Sequence, residues 1–130
     1  MKDPKVIRKL GIWLDHQQAH MMEYIPIESD TEMSSITNLH LNDEAGVSQN
    51  ENVVHNKEQR DQAGFYKKLA DKIVVFDEVI LFGPTDAKLE LLNILKEDHH
   101  FDKIKIETLQ ADKMTENQQM AFVKAHFSAH

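Results

Sequence analysis

The stretch from Glu78 to Glu97 leaves the chain few ways to fold. Val79-Ile80-Leu81-Phe82 has the composition of a buried strand, and Gly83-Pro84-Thr85 breaks it. Proline suits a first helical turn and threonine a cap, and a helix is expected over 86–97. Ala87, Leu91, Ile94 and Leu95 would face the core, with Asp86, Glu90, Asn93 and Glu97 on the polar side. A buried strand that turns at once into a helix calls for a right-handed crossover and a parallel partner strand. Residues 103–109 supply it, alternating Ile104 and Ile106 with lysine and glutamate. Thr115 and Gln118 then have capping-box spacing, and Met120, Val123 and Phe127 line one side of a last helix. Upstream, Tyr66, Leu69, Ala70 and Ile73 predict a helix over 57–74, weakened by Gly64.

The first half has a different rhythm. Residues 10–15 read as a strand entered through Gly11, and Asp15-His16-Gln17-Gln18 as a polar turn. A second apolar run over 19–25 stops at Pro26, so the pair forms a hairpin. A third strand lies within 33–41, with Ile36, Leu39 and Leu41 inward. Residues 42–56 are polar and read as a mobile surface loop, either a tolerated insertion or an arm that orders on a partner. The order is βββαβαβα: one α/β domain over 1–130 with a mixed five-stranded sheet.

Composition narrows the function. The 130 residues include no cysteine, which excludes a disulfide framework and a cysteine zinc site and agrees with a reducing compartment. No apolar run approaches the ~20 residues of a membrane span. Residues 1–10 lack an unbroken signal-peptide core. A cytoplasmic protein without membrane contact is expected. The net charge of −7 argues against a free-standing nucleic-acid binder. Basic residues at Lys2, Lys5, Arg8 and Lys9, across 57–72, and at Lys103 and Lys105 still allow a local patch for a large partner. Trp13, Met21, Met22, Phe76, Phe82, Phe101 and Phe122 read as core.

The element order resembles the ribonuclease H-like fold. More specifically, GIWLDHQQAHMMEY resembles the opening hairpin of bacterial relatives of the middle domain of class 1 peptide-chain release factors and Pelota. VVHNK, FYKKLADKIVVFDEVILFGPTDAKLELLNIL and IETLQADKMTENQQMAFVKAHF are similar to that group's histidine-bearing loop, strand–Gly-Pro–helix step and closing strand and helix. The resemblance covers most of the chain outside the polar loop and implies a ribosome-linked role. In release factors this domain carries a Gly-Gly-Gln tip that orders water for ester hydrolysis. Here the four glycines, Gly11, Gly46, Gly64 and Gly83, are never adjacent. Gly46 and Gln49 are the closest residue types in the loop, and they are not a match.

Four constellations offer chemistry. Ribonuclease H-like enzymes hold two cations with carboxylates from the first strand, the first helix and the fourth strand. Asp15 and Glu58 suit the first two places. Gly83-Pro84 occupies the third, and Asp112 would only partly replace it. The alternative is that Asp15 is a turn residue and Asp112 simply precedes a helix cap. Eight histidines are present (His16, His20, His40, His55, His99, His100, His126 and His130), without metal-ligand spacing on a helix. The Gly83–Lys88 step offers a helix N-terminus and a lysine to an anion, although Asp86 opposes this and the phosphate-loop pattern is absent. Last, His55 and Lys57 mark the exit of the polar loop. The reading that follows is a non-catalytic module for the ribosome or RNA, without metal or cofactor. Its contact residues would be Asp15, His16, His55, Lys57, Gly83, Pro84 and Lys88. The alternatives are a metal-dependent RNA or peptidyl-tRNA hydrolase using Asp15, Glu58 and Asp112, and a homodimer joined along an exposed sheet edge.

Overall fold

A computed structural model describes residues 7–26, 31–40 and 54–128, leaving aside the side chains at 26, 31, 32, 37 and 54–61. Three antiparallel strands come first: β1 (Lys9–Leu14), β2 (Gln18–Pro26) and β3 (Thr31–His40). The β2–β3 register shifts between Met21 and Met22, where β3 carries the extra residue Ile36. Ile36 does not enter the core as its hydropathy suggests: its side chain is exposed and lines a surface groove with Val75 and Phe76 just past the end of α1. Leu39 packs against the core as expected. Leu41, Gly46 and Gln49 lie outside the described residues.

Helix α1 (Val54–Ile73) starts three residues before the patterned segment, so the end of the expected loop is helical. Strand β4 (Glu78–Gly83) follows, then α2 (Ala87–Lys96), a one-turn 3-10 helix at His99–Phe101, β5 (Lys105–Gln110) and α3 (Glu116–Ser128). β4 pairs in parallel with β1 and with β5. The sheet order among the described residues is β3-β2-β1-β4-β5, a mixed five-stranded sheet in the predicted βββαβαβα sequence.

Alternation along the strands splits the core in two. Leu10, Ile12, Leu14, Met21, Val79 and Leu81 meet Leu69, Ile73, Leu91 and Leu95 on the α1–α2 side. Trp13, Met22, Ile80 and Phe82 meet Val123 and Phe127 on the α3 side. Phe122 stacks on Phe82 with ring centroids 4.4 Å apart. Gly11 is required where α3 crosses β1: a Cβ there would stand 2.3 Å from a Val123 methyl. The capping box forms reciprocally, Thr115 N–H donating to Gln118 Oε1 at 2.9 Å and Gln118 N–H to Thr115 Oγ1 at 3.1 Å. Ile94 does not join the core and is 42% exposed. Among the described residues no helix is long and apolar enough to cross a membrane.

Candidate functional site

The parallel strands β1, β4 and β5 all end on one edge of the sheet. The β1–β2 turn, the Gly83 corner, the start of α2 and the approach to α3 share that carboxyl edge, where open α/β sheets present ligand sites. The sequence therefore delivers its singled-out segments to one border of the fold.

The corner at Gly83 is closed from inside. Gly83 has φ +155°, and a Cβ would fall 2.1 Å from the Leu14 carbonyl oxygen. Lys88 is only 5% exposed. Its ammonium donates to the Gly83 carbonyl at 3.1 Å, the Thr85 carbonyl at 2.6 Å and Gln110 Oε1 at 3.0 Å. Three acceptors match the three protons of an ammonium, so Lys88 clamps the corner. Pro84 sits ahead of α2, and the Thr85 hydroxyl accepts from Ala87 N–H at 3.2 Å.

Beside the corner, one carboxylate joins three elements. The Tyr66 hydroxyl on α1 donates to Glu90 Oε1 on α2 at 2.6 Å. His16 Nε2, in the β1–β2 turn, lies 3.2 Å from each Glu90 oxygen. The hydrogen bond from Tyr66, and secondarily the contact with His16, hold the Glu90 carboxyl below the usual glutamate range despite partial burial. Burial, and then Glu90 itself, push the Tyr66 hydroxyl well above the tyrosine range. His16 and Glu90 remain open to solvent, their side chains 41% and 49% exposed. Glu90 in the first turn of α2 also suits the helix dipole.

Asp15 is committed to its turn. Its Oδ1 accepts from the backbone N–H of Gln17 at 2.8 Å and of Gln18 at 2.9 Å. Asp112 is exposed, and its carbonyl accepts from Trp13 Nε1 at 3.3 Å. Among the described residues no three histidine, aspartate or glutamate side chains gather closely enough to hold a metal; the Glu58 side chain is not among them. His16 and His20 part company: His20 is buried on the α3 side, between Gln119 and Ser35. His99 and His100 are exposed, and the Asp98 carboxylate, which accepts from the His100 backbone, is held below its usual range. His55, Lys57 and Glu58 fall in the first turns of α1. Tyr66 lies eleven positions after His55, so by helical rise His55 stands ~16 Å away toward the start of α1. Asp15 and Lys88 thus line no common cleft, one being a turn lock and the other internal; the His55 side chain is not among those described, and its backbone stands turns away on α1. The Tyr66–Glu90 bond and the inward turn of Lys88 carry no local signal in the sequence, because the partners are distant or the role depends on the closed corner.

Neither a protein-family model nor a curated protein matches the chain by sequence. Its backbone does match solved structures. The Pelota protein of Thermoplasma acidophilum aligns over 96% of this chain and 33% of its own length, at 10% identity with a TM-score of 0.59. Pelota of Archaeoglobus fulgidus aligns over 92% of this chain and 31% of its own, at 15% identity with a TM-score of 0.58. The chain has the fold of a segment of Pelota. It spans about a third of the length of those proteins, and the resemblance seen in its motifs holds for the backbone.

Proposed function

We propose that the chain is a non-catalytic binding module that acts in the cytoplasm on the ribosome or on structured RNA, with the carboxyl edge as its contact surface. The observation that carries this reading is the Pelota-like backbone over nearly the whole chain. The ribosome-linked role implied by its motifs and the scattered placement of its reactive side chains favour docking over turnover. In this reading His16 and the first turns of α1, with His55 and Lys57, meet the partner. Gly83 and Pro84 shape the surface between them. Asp15 and Lys88 hold the turn and the corner that present it.

Contacts to phosphate release counterions, so binding should weaken steeply with salt. The purified chain should co-sediment with ribosomes at low salt and detach as salt rises from about 50 to 200 mM. Ribosomes that pellet without it at low salt would overturn the proposal.

A further inference from the structure

On the α3 side of the carboxyl edge lies a cavity of about 340 Å³. Strand register builds its wall. Gln18 and His20 alternate onto one side of β2, and their cross-strand partners on β3 are His40 and Asn38. All four line the cavity. Trp13 from β1 and Met114 from the approach to α3 supply apolar lining. The size is at the small end of ligand pockets, enough for one small molecule or one residue of a polymer.

The cavity is pre-organised. His20 is 3% exposed and held on both ring nitrogens. Gln119 donates its amide N–H to the Met114 carbonyl at 3.0 Å, which leaves its Oε1 to accept from His20 Nδ1 at 2.7 Å. His20 Nε2 therefore accepts from the Ser35 hydroxyl at 2.8 Å when the ring is neutral. These bonds fix the ring and leave the amides of Gln18 and Asn38 at the mouth. Neither amide has a hydrogen-bond partner among the described residues. Each offers a donor and an acceptor side by side, the pattern that pairs with the edge of a nucleobase.

Charge separates ligand classes. Lys113 and Glu116 on the rim cancel, and the Thr115–Gln118 box has already closed the α3 terminus. Nothing here favours a bare phosphate. A neutral, planar, hydrogen-bonding ring fits both the amides and the apolar lining. We propose that this cavity binds a nucleobase, from a free nucleotide or from an unstacked position in single-stranded RNA. The RNA source rests on the proposed function; the cavity chemistry does not.

Trp13 is the chain's only tryptophan, so its fluorescence reports this cavity. The full chain would be titrated with the four nucleoside monophosphates, a short single-stranded oligoribonucleotide, ribose 5-phosphate and inorganic phosphate. A saturable change with a base-bearing ligand is expected, with none from ribose 5-phosphate or phosphate. Asn38→Ala and Gln18→Ala, both at exposed positions, should weaken it about tenfold each and leave the melting temperature in place. Tighter binding of the oligoribonucleotide assigns the base to RNA, and equal or weaker binding assigns it to free nucleotide. No saturable response to any base-bearing ligand, an equal response to ribose 5-phosphate, or unchanged affinity in both variants would overturn the proposal. A chain that co-sediments with ribosomes but binds no base removes this inference alone. One that binds a base but never sediments removes the ribosome reading alone.

Discussion

Two neighbouring positions carry the corner that shapes the carboxyl edge. Gly83 combines a left-handed φ with the Leu14 carbonyl oxygen where its side chain would be, and that backbone oxygen cannot yield cheaply. Gly83→Ala should cost about 2–4 kcal/mol in urea unfolding, combining backbone strain with overpacking. Lys88→Met keeps the aliphatic stem but strands the Thr85 carbonyl, while the exposed Gln110 can turn its amide to water. The Gly83 carbonyl keeps its bond from Ala111 N–H at 3.2 Å. Relief from burying an ammonium offsets part of the loss, so about 2 kcal/mol is expected, read by the same unfolding measurement. The glycine–proline break was legible because each residue constrains its own backbone. The lysine was legible only as a charge near a helix start. Its burial depends on three acceptors that exist once β4, β5 and the corner are assembled.

Glu90 does for the helices what Lys88 does for the corner, tying α1, α2 and the β1–β2 turn through a single carboxylate. Removing the hydroxyl with Tyr66→Phe should cost about 1 kcal/mol near neutral pH, since solvent around Glu90 weakens the bond. That corresponds to a melting temperature lower by roughly 3–5 °C. The pH dependence follows from the two shifts. Glu90 is held below its ordinary value of 4.5, so its contribution is complete above that pH and is lost as pH falls through the lower folded value. Tyr66 is held above its ordinary 10.0, so its contribution is complete below that pH and is lost as pH rises from there toward the folded value. Melting curves of wild type and Tyr66→Phe should therefore differ by a constant amount from about pH 5 to 9 and converge toward both extremes. A gap unchanged at pH 3 would contradict this linkage.

Periodicity put Tyr66 on a buried stripe and Glu90 on a polar one, and both placements hold. The bond between them joins residues 24 apart in the chain, and no spacing rule reaches that far. The same limit explains Ile94. Lys88 turns inward to the corner, so the buried side of α2 runs through Ala87, Lys88, Leu91 and Leu95, leaving Ile94 at its flank. The early start of α1 was hidden because His55 and Asn56 add no apolar recurrence for a pattern to detect.

The described residues form a mixed sheet with helices on both sides, and the Gly83 corner, the Glu90 carboxylate and the β1–β2 turn gather at one border. Strand polarity was readable from the hairpin and the two crossovers, and polarity alone decides that the β1–β2 turn, the Gly83 corner and the start of α3 share that border. Side-chain duty was readable only in part. The turn role open to Asp15 in sequence holds in the fold, whereas Lys88 looks like a contact residue and serves the scaffold, and Glu90 and His20 look ordinary and organise what surrounds them. The proposed docking role divides the molecule into a rigid frame and a few exposed groups, His16 foremost, that would touch the partner. Equilibrium binding to immobilised ribosomes, comparing His16→Ala/His55→Ala/Lys57→Ala with Lys103→Ala/Lys105→Ala at the opposite edge, tests that division. The triple variant should bind about tenfold or more weakly while the double variant matches wild type; equal losses, or loss only in the double variant, would contradict it.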